Sequence, residues 1–239
     1  MAVEILSASI LVIIGYSAYY YFTQTAWIRS YFAENFNHVK AAILMPLFRR
    51  IAGFLFFGFI PLIFILFSEE KFLSHYGISF SFSKTTVLTT LLFSALMVPI
   101  GVLGGKNLTG QKSKPQIPQM RIFIWNPGLL FLSTASWIVY LTAYEFLLRG
   151  FFFFACWRAW GLLPAFALNS AVYAVFHLHK NRREMAGSFF LGVVLCAGVY
   201  FTGTIWPALG AHAALALSME WSAIYFNPRI TFKLRSALQ

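Results

Sequence analysis

The chain has 239 residues, of which 59% are hydrophobic and 10% charged. Soluble domains are about 45–50% apolar, so a soluble globular fold is excluded and a multi-span membrane protein remains. The net charge of +11 fits basic segments that flank apolar spans. Nucleic-acid binding is set aside, because no compact basic stripe with interleaved aromatics is present.

The apolar runs are continuous rather than alternating, which argues against a transmembrane β-barrel. They predict an all-α polytopic transmembrane helical bundle of about seven spans with a polar intramembrane cavity. Span one covers about Ile5–Phe22, and Glu4 in place of a basic leader makes it a retained span rather than a cleaved signal. Asn35–Arg50 is mixed in character and predicts an interfacial amphipathic helix. Span two follows at Ile51–Phe67 and span three at Thr86–Leu103. Gly104–Met120, rich in Gly, Lys, Gln and Pro, reads as a loop. Asn126-Pro127 then opens an apolar stretch to Trp157. At about 1.5 Å per residue it outruns a bilayer and must tilt, protrude or break. Spans five, six and seven are Leu162–Leu178, Met185–Thr202 and Ile205–Phe226. Residues 1–125 supply N-terminal spans and loops, and residues 126–239 a core, of one bundle. Cys156 and Cys196 sit in apolar runs as small packed hydrophobes. Fourteen of the 18 Lys and Arg fall on one side of this arrangement. That bias predicts a multi-pass cell-membrane protein with an outside N-terminus and a cytoplasmic C-terminus.

Against this background Glu145 and Arg149 stand inside an apolar run. A charge at the bilayer centre costs about 2.5–3.5 kcal/mol on insertion scales, which marks it as a candidate for function. The pair is spaced i,i+4 and shares a helix face. Glu145 and His177 are equidistant from Gly161, the turn between spans four and five. An antiparallel hairpin therefore sets both roughly 20 Å from that turn. His212 lies eight residues into span seven, roughly 12 Å deep from the same side. Tyr173 shares the face of His177, whereas Tyr144 points about 100° away from Glu145 on a helical wheel. Glu184 follows a short basic turn and folds back toward the same mouth.

Each residue also has a plain structural reading. Glu145–Arg149 alone would serve as a clamp, His177 as an interfacial residue, and His212 as a hydrogen-bonding link between helices. Asn169 reads as interhelical glue or a ligand-orienting group, and Glu220 as neutralising a neighbouring charge. The joint arrival of acid–base groups at similar depth favours a buried hydrolytic site.

The motifs Tyr144-Glu145-x-x-x-Arg149-Gly150, Tyr173-x-x-x-His177 and His212-x-x-x-Ala216 resemble those of the CAAX protease and bacteriocin-processing family of intramembrane endopeptidases. The resemblance covers about residues 130–226. It implies an all-helical membrane bundle that cleaves peptide bonds near prenylated C-termini, or acts on secreted peptides or in bacteriocin self-immunity. Two positions depart from the family pattern. Tyr144 stands where the family has the glutamate assigned to water activation, and a phenol is a poor base near neutrality. Ala216 stands where the family has Asn or Asp.

The expected activity is thus an intramembrane peptidase working on membrane-associated or lipidated substrates. Glu145, with His177, orients and deprotonates a water. His212 stabilises the oxyanion or protonates the leaving amine, and Arg149 holds Glu145. Tyr144, Tyr173 and Glu184 are candidate supporting groups. No cofactor is expected. The alternative is zinc on Glu145, His177 and His212, although no His-Glu-x-x-His signature supports it. The expected partners are membrane lipid and a peptide or lipidated-protein substrate. The competing class is a catalytically degenerate member acting as a peptide-binding scaffold or immunity factor. A transporter is disfavoured, because broken-helix pairs in two related halves and a second buried charge cluster are both missing.

Overall fold

The computed structural model describes residues 2–67, 72–80, 82–109, 118–178 and 182–234. They form helices α1 (Ala2–Gln24), α2 (Ala26–Asn35), α3 (His38–Leu66), α4 (Lys84–Thr109), α5 (Pro127–Trp160), α6 (Leu162–Val175), α7 (Arg182–Thr202) and α8 (Trp206–Phe226). Leu73–Tyr76 makes one 3₁₀ turn, and the two-residue strands β1 (Ile124–Trp125) and β2 (Thr231–Phe232) pair in parallel. In an apolar medium the backbone has to satisfy its own hydrogen bonds, so apolar runs of this length become helices.

The predicted helical bundle is what forms. Among the described residues five stretches are long and apolar enough to cross a membrane: Val3–Asn35, α3, Lys84–Asn107, α5 and Met185–Thr202. The remaining two predicted spans are helices of a different kind. α6 is apolar but has only 14 residues. α8 buries Ser218, Glu220 and Ser222.

Two local expectations change. The segment Asn35–Arg50 is not a separate interfacial helix. Asn37 caps a new helix by accepting a hydrogen bond from the Lys40 backbone N–H at 2.9 Å, and from there α3 runs unbroken to Leu66. Its turns widen to π-helix over Leu55–Phe59, just ahead of Pro61. A proline ring clashes with the carbonyl four residues back, and a widened turn relieves that clash. Span five also ends early: α6 stops at Val175, leaving His177 in the turn beyond it.

The helix ends sort into two groups. At one end Glu4 of α1 bonds Arg158 of α5 and lies 3.3 Å from His75 Nε2, while the Ile205 N–H donates to Gly77 O at 2.9 Å. At the other end Arg50, Gln119 and Glu220 meet, and β1 pairs with β2. This alternation agrees with the order of the spans. α5 is the central helix, 78% buried over its most apolar window, whereas α4 is 11% buried. Leu88, Leu91, Leu92, Leu96 and Leu103 of α4 face outward, as a lipid-facing helix requires.

α4 nonetheless approaches α8 very closely. A Cβ added at Gly101 would lie 2.6 Å from Leu215 O and overlap Ser218 Oγ. One at Gly105 would overlap Ser222 Oγ and Met219 O, and Gly210 of α8 fits against Thr90 and Ser94. Small residues let helix backbones meet where no hydrophobic force drives them together. The helices of residues 1–125 are therefore interleaved with the C-terminal ones.

Candidate active site

The turn chemistry at Gly161 sets up the first half of the site. Its φ of +85° is open to glycine at no steric penalty, and it ends α5 and starts α6. Near its midpoint α5 widens into π-helix over Phe146–Phe152, the segment that contains Arg149. A widened turn frees backbone groups, and α6 satisfies one of them: Asn169 Nδ2 donates to Leu148 O at 2.6 Å. Cys196 Sγ of α7 donates in turn to Asn169 Oδ1 at 3.3 Å. Asn169 is thus interhelical glue placed directly behind the Glu145–Arg149 turn. Asn169→Leu is expected to leave Leu148 O unpaired and lower stability by about 1–3 kcal/mol, measurable as a drop in thermal unfolding temperature.

Glu145 and Arg149 are both fully enclosed. Arg149 Nη1 lies 3.4 Å from Glu145 Oε1 and 3.3 Å from Oε2. α8 brings in the third member: His212 Nδ1 stands 2.5 Å from Glu145 Oε1. The guanidinium of Arg149 lies over the Tyr173 ring at 4.2 Å, close enough for a cation–π contact. Tyr173 also faces His212 at 5.9 Å and Tyr144 at 6.0 Å between ring centroids.

His177 joins through Tyr173 as well. Their rings are 4.7 Å apart, and His177 Nδ1 lies 2.8 Å from Tyr173 O. That bond closes a carbonyl at the open end of α6, so the plain reading of His177 as a helix-end residue has substance. It also fixes chemistry. A carbonyl only accepts, so Nδ1 carries the proton and the lone pair of the neutral ring sits on Nε2. The same reasoning applies to His212, whose Nδ1 faces a carboxylate.

The depth arithmetic thus agrees with the geometry: Glu145, Arg149, His177 and His212 gather around Tyr173. Three expectations need revision. Tyr144 does not leave the cluster, because its ring reaches 5.7 Å from His212 despite the helical-wheel offset. A tyrosine is long enough to come back across the helix face. Glu145 is not placed as a water-activating base, since it is enclosed between Arg149 and His212, and of these three His212 is the one partly exposed, at 12%. The zinc ligand set does not fit. Among the described residues no three His, Cys, Asp or Glu side chains are grouped to hold one ion, and His212 Nδ1 is already engaged by Glu145. The Glu184 side chain lies outside the described residues. The Tyr144 hydroxyl is buried and has no hydrogen-bond partner among the described residues.

The expectation that a second buried charge cluster is missing is overturned: one lies at the far end of α5, formed by Arg50 and Glu220. Arg50, 3% exposed, donates from Nη1 to Ser133 O at 2.8 Å and Ser136 Oγ at 2.7 Å, and from Nη2 to Gln119 Oε1 at 3.1 Å. Glu220 lies 3.9 Å from Arg50 and accepts from the Gln119 N–H at 3.2 Å and from Ser133 Oγ at 3.4 Å. Arg50 had read as one of the basic residues flanking span two. The signal for its burial was an opposite charge, Glu220, at matching depth on the last span.

Residues 124–218, about two fifths of the chain, match the family model described as Type II CAAX prenyl endopeptidase Rce1-like. No curated protein and no solved structure matches the chain. The matched region holds β1, α5, α6, α7 and most of α8, and with them every member of the Glu145 cluster. Over residues 124–218, therefore, this helical membrane protein is similar to the Rce1-like type II CAAX prenyl endopeptidases.

Proposed function

We propose that the protein is an intramembrane endopeptidase that hydrolyses a peptide bond of a lipidated or membrane-associated substrate. The observation that carries this reading is the 2.5 Å contact of His212 Nδ1 with Glu145 Oε1, inside a region matching the prenyl endopeptidase family. A carboxylate that receives Nδ1–H holds the imidazole in one tautomer and stabilises the imidazolium when it forms. His212 Nε2 is then the base. It takes a proton from water as the oxygen bonds to the scissile carbonyl carbon, and it returns that proton to the amine as the C–N bond breaks. Glu145 orients rather than attacks, and Arg149 holds Glu145.

The Tyr144 hydroxyl is the neutral donor assigned to the developing oxyanion. It stands in for the amide or acid that Ala216 lacks. Its burial without a partner supports this role, since buried hydroxyls are as a rule hydrogen-bonded. His177, with its lone pair on Nε2, assists in placing the water. No step runs through a metal. The basic segments at the Gln119–Glu220 end support a cytoplasmic location for that end and for the C-terminus.

The test uses purified full-length protein in liposomes with a fluorogenic peptide carrying a farnesylated cysteine, alongside its unlipidated twin. Wild type is expected to cleave the lipidated peptide. His212→Gln is expected to lose about 10²–10⁴-fold in kcat, and Tyr144→Phe a smaller factor in kcat with KM held. Cleavage lost to a chelator and restored by zinc would overturn the metal-free mechanism. Folded wild-type protein that cleaves neither peptide, but retains the lipidated one, would replace the enzyme by the binding scaffold.

A further inference from the structure

The Arg50–Glu220 cluster is outside the Glu145 site, yet it ties together the two helices that build that site. Ser133 and Ser136 belong to α5, which also carries Glu145. Glu220 belongs to α8, which also carries His212. The two helices run in opposite directions, so each has one attachment at the Gln119 end and one at the level of Glu145. Twelve residues separate Ser133 from Glu145, roughly 18 Å along the helix, and eight separate Glu220 from His212, roughly 12 Å. Side-chain reach and helix tilt absorb the difference. A slip of α8 by one turn, about 5.4 Å, would break both attachments together.

Arg50 comes from α3, the third helix at this end. Its fork holds a backbone carbonyl and a hydroxyl of α5 with one nitrogen, and Gln119 with the other. Gln119 in turn gives its backbone N–H to Glu220. The guanidinium also sits 4.5 Å from the Trp137 ring centroid on α5. A buried ion pair is weak evidence for stability and better evidence for register. The close contact of α8 with α4 at Gly101 and Gly105 orients α8 on its other side but offers no group that bonds α5.

We propose that Arg50 and Glu220 are positioning residues that set the register of α8 against α5 and thereby hold His212 Nδ1 on Glu145. This inference rests on the Glu145–His212 dyad and leaves the substrate open.

The dyad can be read directly from the tautomer of His212. Full-length protein labelled with ¹⁵N-histidine is studied in micelles at about pH 9, above the ordinary imidazole range. His212 signals are assigned by their loss in His212→Asn. Wild type is expected to hold His212 in the Nδ1-protonated form. Arg50→Gln and Glu220→Gln are each expected to move roughly half of that signal to the Nε2-protonated form as the dyad loosens. His177 is the internal control, because its Nδ1 bonds Tyr173 O only four residues back in the chain. It is expected to stay Nδ1-protonated throughout.

An unchanged His212 signature in both folded variants would overturn the positioning role. So would a shift of His177 along with His212, which would mean that the bundle as a whole had loosened. If the glutamine variants do not fold, Arg50→Lys and Ser136→Ala carry the same test. They are expected to produce a smaller move in the same direction, and no move would overturn the proposal. Glu145→Leu/Arg149→Met, which leaves no acceptor at position 145 and no stranded charge, separates this proposal from the one beneath it. A wild-type His212 signature in that variant would sink the dyad itself, whatever Arg50 does.

Discussion

Arg149→Leu is expected to be among the most damaging single substitutions in the chain, at about 3–5 kcal/mol of stability. The Glu145 carboxylate would remain fully enclosed with His212 as its remaining polar partner. Removing one member of a buried pair strands the other charge, and desolvation of that charge is the dominant loss. Tyr173 would also lose the cation over its ring, a smaller effect of roughly 1–2 kcal/mol. The measurement is thermal unfolding of detergent-purified protein together with folded yield. The double substitution Glu145→Gln/Arg149→Met removes both charges with little change of volume. It is expected to recover most of the lost stability, because a buried pair replaced as a unit is often near neutral. It is expected to recover no peptidase activity, since His212 would have lost its carboxylate. Wild-type stability in Arg149→Leu would show that Glu145 is neutral or hydrated in the folded protein.

The second large effect is expected in α4, which the family match does not cover. Gly105→Leu should push α4 and α8 apart, because even the first carbon of the side chain would overlap Ser222 Oγ and Met219 O. The Ser222 hydroxyl can turn to another rotamer, but Met219 O and Ala223 N are backbone of one stiff helix and cannot move aside. Overpacking of this kind costs about 1–3 kcal/mol, sometimes more. Gly101→Leu should behave the same way against Leu215 O and Ser218. The consequence for function is greater than that for stability, because α8 carries His212. Activity is expected to fall by at least about tenfold, given how sharply catalysis depends on placement within 1 Å. Gly187→Ala in α7 is the control: an added Cβ there meets nothing within 4 Å, and neither stability nor activity should fall. Equal tolerance at Gly105 and Gly187 would mean that the α4–α8 contact is looser than described.

The sequence by itself determined the class of fold, because an apolar run long enough to cross a bilayer has only one economical backbone solution, the helix. It also determined which residues to examine. Glu145 and Arg149 stood out because charge is scarce at that depth. The symmetric spacing about Gly161 brought His177 to the same level, since axial distance in a helix is simple arithmetic. The motif resemblance named the family that the match over residues 124–218 bears out.

What the sequence left open is everything that depends on direction around a helix axis or on contacts between distant helices. Nothing in the chain specifies that His212 Nδ1 lands on Glu145 Oε1, because lateral neighbours in a bundle are set by packing across many residues. The π-helical widening at Phe146–Phe152 further shifts the angles on which a helical wheel relies, and Tyr144 returned to the cluster on the length of its own side chain. Arg50 is the clearest case. By local sequence it resembles any basic residue flanking a span, and its burial follows only once Ser133, Ser136, Gln119 and Glu220 converge to receive it. Composition and periodicity fix depth, and depth was legible. Azimuth and partnership come from the summed packing of the whole bundle, so only the tertiary structure decided that Glu145 meets His212.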